Sequence, residues 1–302
     1  MPSQKIILTP LRHFYDTLKN EMSVDDHMEF YCNRKTEEGE TFLRLETYES
    51  EKMSRFVMEE YSIKSKMRGS VIMTFPKPDT DVPIFFFQIG GRGDRSIAVL
   101  DISPTLGRID YGPLIPLYQK YHELLGLGDS KVAWLQKICS PYLLHCQYDE
   151  IDCDLFLEAM REYLTVWLEH YYRPGASLGD EHEIDVVTNA IYKFKYVLHH
   201  HDPAYGIFAK AWGKSAADAF VHLECSDHPA YRPPETLDSQ VKPWANKELN
   251  VVWTENAQLL AMQAAESGPA RLREMLEEKA AASDLGIITP EIFARYRDVA
   301  GA

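Results

Sequence analysis

Cysteine is scarce in this chain and never closely paired. The five residues Cys32, Cys139, Cys146, Cys153 and Cys225 form no Cys-x-x-Cys motif among 302 residues. That excludes a disulfide-framed scaffold. It also argues against an iron–sulfur cluster, which needs about four thiolates brought together. Cys139, Cys146 and Cys153 recur every seven residues, but Ser140-Pro141 and the polar stretch 147–152 break any single helix that would align them. They read as reduced, buried thiols. Long hydrophobic runs are missing too: none reaches the roughly 18 residues of a membrane span. The opening Met-Pro-Ser-Gln-Lys-Ile-Ile-Leu-Thr-Pro lacks the apolar core of a signal peptide, so the sequence reads as cytoplasmic. Basic charge is short, with 32 Lys and Arg against 46 Asp and Glu and a formal charge of −14. Nucleic acid and anionic membrane surfaces are therefore excluded as general partners. No phosphate-binding loop is present either. Gly90-Gly91-Arg92-Gly93-Asp94 lacks the Gly-Lys-Ser/Thr ending and has no clear helix after it, so it reads as a turn.

What is present is an ordinary globular composition, 45% hydrophobic and 26% charged, sufficient for one large core or a core with an appendage. Residues 42–47 alternate Leu43 and Leu45 with Arg44 and Glu46, the period of a half-buried strand. Residues 71–75, 83–89 and 95–102 are further strands, the last two joined by the glycine-rich turn. Loops this short require antiparallel pairing, because a parallel pair needs a crossover of about a dozen residues. Residues 1–40 are polar and mixed, with a helix expected over 11–22. Beyond residue 114 the period becomes helical, with helices expected at 115–125, 130–138, 153–172, 184–198 and 204–222. The strongest is 153–172, where Leu155, Phe156, Ala159, Met160, Tyr163, Leu164, Trp167, Leu168 and Tyr171 form one apolar stripe. Strands first and helices later imply an α+β layered fold.

Three segments follow: a main domain over 1–228, a proline-rich linker over 229–250, and a small helical domain over 251–302. The linker carries Pro229, Pro233, Pro234 and Pro243. In the last segment Thr254 and Thr289 stand as helix N-caps, with Pro290 at the first helical position.

Three features of residues 40–228 resemble the ferredoxin-dependent bilin reductases. One is the hairpin from Phe75-Pro76 to Pro104. Another is Ser140-Pro141 followed by the long helix ending near Tyr171. The third is His201-Asp202-Pro203-Ala204-Tyr205-Gly206-Ile207-Phe208, with Trp212-Gly213 and 220–224 beyond it. The resemblance implies an α/β/α three-layer sandwich with a central antiparallel sheet and a linear tetrapyrrole bound between sheet and C-terminal helices. It implies no bound cofactor. Reduced ferredoxin delivers single electrons, and pocket carboxylates and water deliver protons.

Carried over by position, Asp202 matches the carboxylate on the helical side. Gln88 stands where the family usually places a proton-donating aspartate. Val71 falls where the phycocyanobilin-forming branch has a histidine, and Glu59 where that branch has a glutamate. The catalytic set implied is Asp202, Gln88 and Glu59, with Val71, Phe86, His200 and His201 as substrate contacts. An electron added to a conjugated tetrapyrrole makes a basic radical anion that a carboxylic acid in an apolar pocket can protonate. Glutamine cannot act as that acid, but it can hydrogen-bond a pyrrole N–H or a lactam carbonyl.

Each position has a plainer reading. Asp202-Pro203 is also a helix start. Gln88 also reads as an ordinary sheet residue, Glu59 beside Glu60 as solvent-exposed, and Asp101 as a strand-end hydrogen-bonding group. The run His199-His200-His201 and the set His222, Cys225 and His228 have metal-ligand residue types but no paired zinc spacing, so no metal is expected.

The tail, from Trp253-Thr254 through 271–278 to Ile288-Thr289 and Tyr296-Arg297, resembles the small C-terminal domain of light-independent protochlorophyllide reductase. The expected activity is ferredoxin-dependent reduction of a biliverdin-like bilin. The alternatives are a tetrapyrrole-binding or non-reducing protein, or a reductase of a chlorophyll-derived linear tetrapyrrole. Acidic ferredoxin and a chain at −14 would need a local basic patch, for which Lys193, Lys195, Lys210 and Lys214 are the candidates.

Overall fold

The computed structural model describes residues 4–212 apart from 37–38, 93–94, 150 and 202–203. The linker at 229–250 and the helical segment at 251–302 lie outside the described residues. The chain divides into two compact units, Met1–Gly179 and Asp180–Ala302.

The first unit is built on one seven-stranded antiparallel sheet whose spatial order is its sequence order. The strands are β1 (Ser23–Thr36), β2 (Gly39–Glu49), β3 (Met53–Ile63), β4 (Met67–Pro76), β5 (Ile84–Arg92), β6 (Arg95–Ser103) and β7 (Leu144–Asp149). The β3–β4 turn shows how the meander is wound. Lys64 and Ser65 both take φ of 52°, the left-handed pair that matches the right-handed twist of a tight hairpin. The Thr41 hydroxyl holds the turn by accepting from the Lys64 backbone N–H at 2.8 Å.

One sheet face carries Phe56 and Met58 of β3, Ile72 of β4, Phe85, Phe87 and Ile89 of β5, Ala98, Leu100 and Ile102 of β6, and Leu144 and Cys146 of β7. Against it pack α1 (Gln4–Leu18), through Phe14 and Leu18, and α4 (Cys153–Val166), through Phe156, Met160, Tyr163 and Leu164. The α4 stripe is buried as its periodicity predicts, apart from Leu155, which is only half-buried. Its N-cap is Asp152, whose carboxylate accepts the Leu155 N–H at 3.0 Å. The helix then widens into a π-helical turn at Trp167–Tyr172, with the Arg173 N–H reaching back to the Leu168 carbonyl. The wider turn seats Trp167 in the core. Its indole N–H donates to the Pro83 carbonyl at 2.8 Å, and its ring stacks on Tyr172 with centroids 5.0 Å apart. Two other helices complete this unit, α2 (Ile115–Leu124) and the single turn α3 (Leu135–Ile138). The second unit contributes α5 (Glu181–His201) and α6 (Ala204–Trp212).

The α+β class expected from the element order is the one observed, with three strands added. β1 lies in the stretch read as polar and mixed, β3 in a stretch given no assignment, and β7 across Cys146 and the polar residues after it. The expected helix at 130–138 contracts to α3, because residues 130–134 form a loop in which Ser130 Oγ accepts the Val132 N–H at 3.3 Å. The helix expected at 204–222 is described as far as Trp212. Cys139, Cys146 and Cys153 fall in a loop, in β7 and at the start of α4, none of them in a disulfide.

Candidate functional site

The sheet face opposite α1 and α4 carries the polar residues of interest. In an antiparallel ladder, directly opposed residues share a face. The pairing therefore reads straight across the sheet: Leu45 of β2 opposes Glu59 of β3, Glu59 opposes Val71 of β4, Val71 opposes Gln88 of β5, Gln88 opposes Val99 of β6, and Val99 opposes His145 of β7. Glu59, Val71 and Gln88, picked out separately in the sequence, thus fall on one row of one face. The next row, two residues along each strand, runs Thr47, Val57, Met73, Phe86 and Asp101. Phe86 is on the same face as Gln88, as a substrate contact there requires.

The environment of this face is apolar and enclosed. Val57, Met73 and Phe86 are fully buried, and Val71 and Val99 nearly so. Glu59 is only 2% exposed, which removes its reading as a solvated surface acid. It was misread because its neighbour Glu60 points to the opposite face, as successive strand residues do. Gln88 is 8% exposed, and its side chain makes no hydrogen bond to any described residue. Thr47 Oγ1 is buried without a partner among the described residues. Unpartnered buried polar groups are rare because each carries a desolvation penalty of about 1–3 kcal/mol. Thr47 Oγ1 is such a group on this face, and it marks the face as shaped for something other than its own packing.

Asp101, on the second row, has a different role. It is fully buried, and burial pushes its carboxyl pKa up. Its oxygens accept from Ser103 Oγ at 2.5 Å, from Ser140 Oγ at 2.5 Å and from the Ser140 backbone N–H at 2.9 Å. Ser140 Oγ in turn accepts the Tyr142 N–H at 3.1 Å. The strand-end hydrogen bonding expected of Asp101 is thus a tie from β6 to the loop that leads into β7. Ser140-Pro141 is in that loop because its hydroxyl closes the tie. Cys139, half-buried beside this carboxylate, has its thiol pKa pushed well up by desolvation and then by the Asp101 charge.

In the second unit, His200 and His201 occupy the last turn of α5, and their side chains are outside the described set. Asp202 and Pro203 lie outside the described residues, between α5 and α6. Of the four lysines considered for a basic patch, Lys193 and Lys210 are exposed. Lys195 is only 6% exposed and is corrected from that set, since a buried ammonium offers nothing to a docking partner. Lys214 lies outside the described residues. Among the described residues no group of three or more His, Cys, Asp or Glu is placed to hold a metal ion, and no helix is long and apolar enough to cross a membrane.

The family model for ferredoxin-dependent bilin reductase matches residues 13–223. The chain belongs to that family. It is an oxidoreductase of bilins that draws electrons from ferredoxin. Among solved structures, this bilin reductase is similar to phytochromobilin synthase from tomato, crystallised in complex with biliverdin. The identity is 20% and the TM-score 0.63, over 72% of this chain and 83% of that one. At that identity the likeness establishes the fold. Among curated proteins, none matches the chain.

Two polar residues of this bilin reductase escaped the sequence reading. Thr47 is the last residue of the strand read at 42–47, and continuing the alternation of Leu43 and Leu45 places it on their face. His145 required β7 to be read as a strand: Leu144 and Cys146 face the core, so His145 faces the other way.

Proposed function

We propose that this bilin reductase takes biliverdin as its substrate and lays it against the sheet face lined by Glu59, Val71, Gln88 and Phe86. Each electron comes singly from a reduced ferredoxin. Two ferredoxins are oxidised as one double bond of the tetrapyrrole gains two electrons and two protons. Gln88 orients the substrate by hydrogen-bonding a pyrrole N–H or a lactam carbonyl, because an amide has both a donor and an acceptor but no acidic proton. Asp202 is the main proton donor, and Glu59, buried on the same row as Gln88, is the second carboxyl of the set. Val71 and Phe86 form the apolar floor, with His200 and His201 as further substrate contacts. Exposed Lys193 and Lys210 are the basic points offered to ferredoxin, and the reaction is placed in the cytoplasm. The resemblance of residues 253–297 to the small C-terminal domain of light-independent protochlorophyllide reductase supports the same tetrapyrrole chemistry.

The observation that carries the proposal is the row Glu59–Val71–Gln88 on a buried face, with Gln88 unpartnered. The test is an absorbance titration with biliverdin, followed by anaerobic addition of reduced ferredoxin to wild type and Asp202→Asn. Binding by both with turnover by wild type alone is expected. Normal turnover by Asp202→Asn would remove Asp202 from its role. A second reading is favoured by Gln88 standing in place of an acid: a bilin-binding or non-reducing protein of the same fold. Binding by wild type without turnover would establish it.

A further inference from the structure

The row across the sheet does not stop at Gln88. Valine and polar residues alternate along it: Glu59, Val71, Gln88, Val99, His145. Adjacent strands lie about 4.8 Å apart, so the three polar residues recur at intervals of roughly 10 Å, with Gln88 in the middle. His145 is thus the counterpart of Glu59 on the other side of Gln88. Its strand is fixed by its neighbours, because Leu144 and Cys146 are locked into the helix-covered core while His145 opposes Val99 on the other face. The imidazole is half-buried and makes no hydrogen bond to any described residue. Burial lowers its pKa, so at neutral pH the ring is uncharged, with one N–H to donate and one nitrogen to accept. No described residue takes that donor, whereas Asp101 on the neighbouring strand is engaged by Ser103 and Ser140.

We propose that His145 is the third polar anchor of the bilin face, donating its imidazole N–H to a carbonyl or carboxylate oxygen at the β7-side end of the tetrapyrrole. This rests on the reading of the face as the substrate site. Gln88 and His145 together then fix where the substrate lies along the row, and with it which carbon is presented to the proton donor. His145 is a positioning residue and moves no proton in the reaction.

The test uses the full chain, with biliverdin as probe, in wild type, His145→Phe and His145→Gln. His145→Phe keeps an aromatic ring on the strand and removes the donor. His145→Gln keeps a donor. Loss of the hydrogen bond is expected to weaken binding by His145→Phe about two- to twelvefold if the acceptor is a carbonyl, and by more if it is a carboxylate. The absorption band of the saturated complex should shift, and His145→Gln should restore both affinity and band. Wild-type affinity and an unshifted band in His145→Phe would overturn the anchor while leaving the substrate assignment standing. Failure of the wild type itself to bind biliverdin would overturn both. Should His145→Phe not fold, nitrogen-15 NMR of histidine-labelled protein decides. Biliverdin is expected to move one imidazole N–H resonance that is missing in His145→Gln, and no such movement would overturn the proposal.

Discussion

Gln88→Leu separates what Gln88 does for the fold from what it does for the substrate. The side chain lies between Val71 and Val99 on its own row, is 8% exposed, and makes no hydrogen bond to a described residue. Leucine has a similar volume and suits those neighbours, and it removes a polar group without stranding a partner. Such a swap is nearly neutral or mildly stabilising, so unfolding free energy in urea should change by less than about 0.5 kcal/mol. Binding should respond differently. A net hydrogen bond contributes about 0.5–1.5 kcal/mol, which corresponds to a rise in the biliverdin Kd of roughly two- to twelvefold. Gln88→Asp makes the complementary test. It places a carboxyl in an apolar setting where desolvation raises its pKa, so it can carry a proton near neutral pH and should change the product or its rate. A loss of more than about 2 kcal/mol of stability in Gln88→Leu would make Gln88 a structural residue. An unchanged Kd would show that the substrate does not touch it.

Ser140→Ala removes one hydroxyl donor from the buried Asp101 carboxylate and the acceptor of the Tyr142 N–H. Urea unfolding should show a loss of about 1–3 kcal/mol. Lys64→Asn with Ser65→Gly should raise the melting temperature, since both residues adopt φ of 52° and a left-handed conformation costs most L-residues about 1–2 kcal/mol. A lowered melting temperature would contradict the turn. Burial holds His145 below its ordinary pKa of 6.5. Burial, together with the Arg161 charge, does the same for His13, against an opposing effect of Asp16. The unfolded chain therefore takes up these protons first. Stability should fall as pH drops through about 6.5 and level off below the folded values. His145→Phe should flatten that slope in melting curves recorded from pH 7.5 to 5.5, and an unchanged slope would refute the assignment.

Much of this arrangement was legible in the sequence, for identifiable reasons. The α4 stripe and the hairpin of β5 and β6 each carry a period that only one conformation satisfies. The apolar run 84–87 leaves little freedom. What was hidden depended on pairing between distant strands. Glu59 beside Glu60 looks like a solvated pair until the register puts one on each face. β7 looks polar in sequence because His145 and the polar residues after Cys146 hide the two, Leu144 and Cys146, that enter the core. Asp101 and Ser140, 39 residues apart, meet only once β7 has returned to the edge of β6. The adjacency of Glu59, Val71 and Gln88 is likewise a property of the ladder.

Anaerobic single turnover with biliverdin bound decides whether this chain reduces the bilin with Asp202 as proton donor. Reduced ferredoxin is added to the wild-type complex and to Asp202→Asn, and the absorption spectrum is followed in time. A transient radical band is expected in both. In the wild type it should decay to a shifted product band, and in the Asn variant it should stall. A wild-type complex whose spectrum never changes on adding reduced ferredoxin would contradict bilin reduction by this chain.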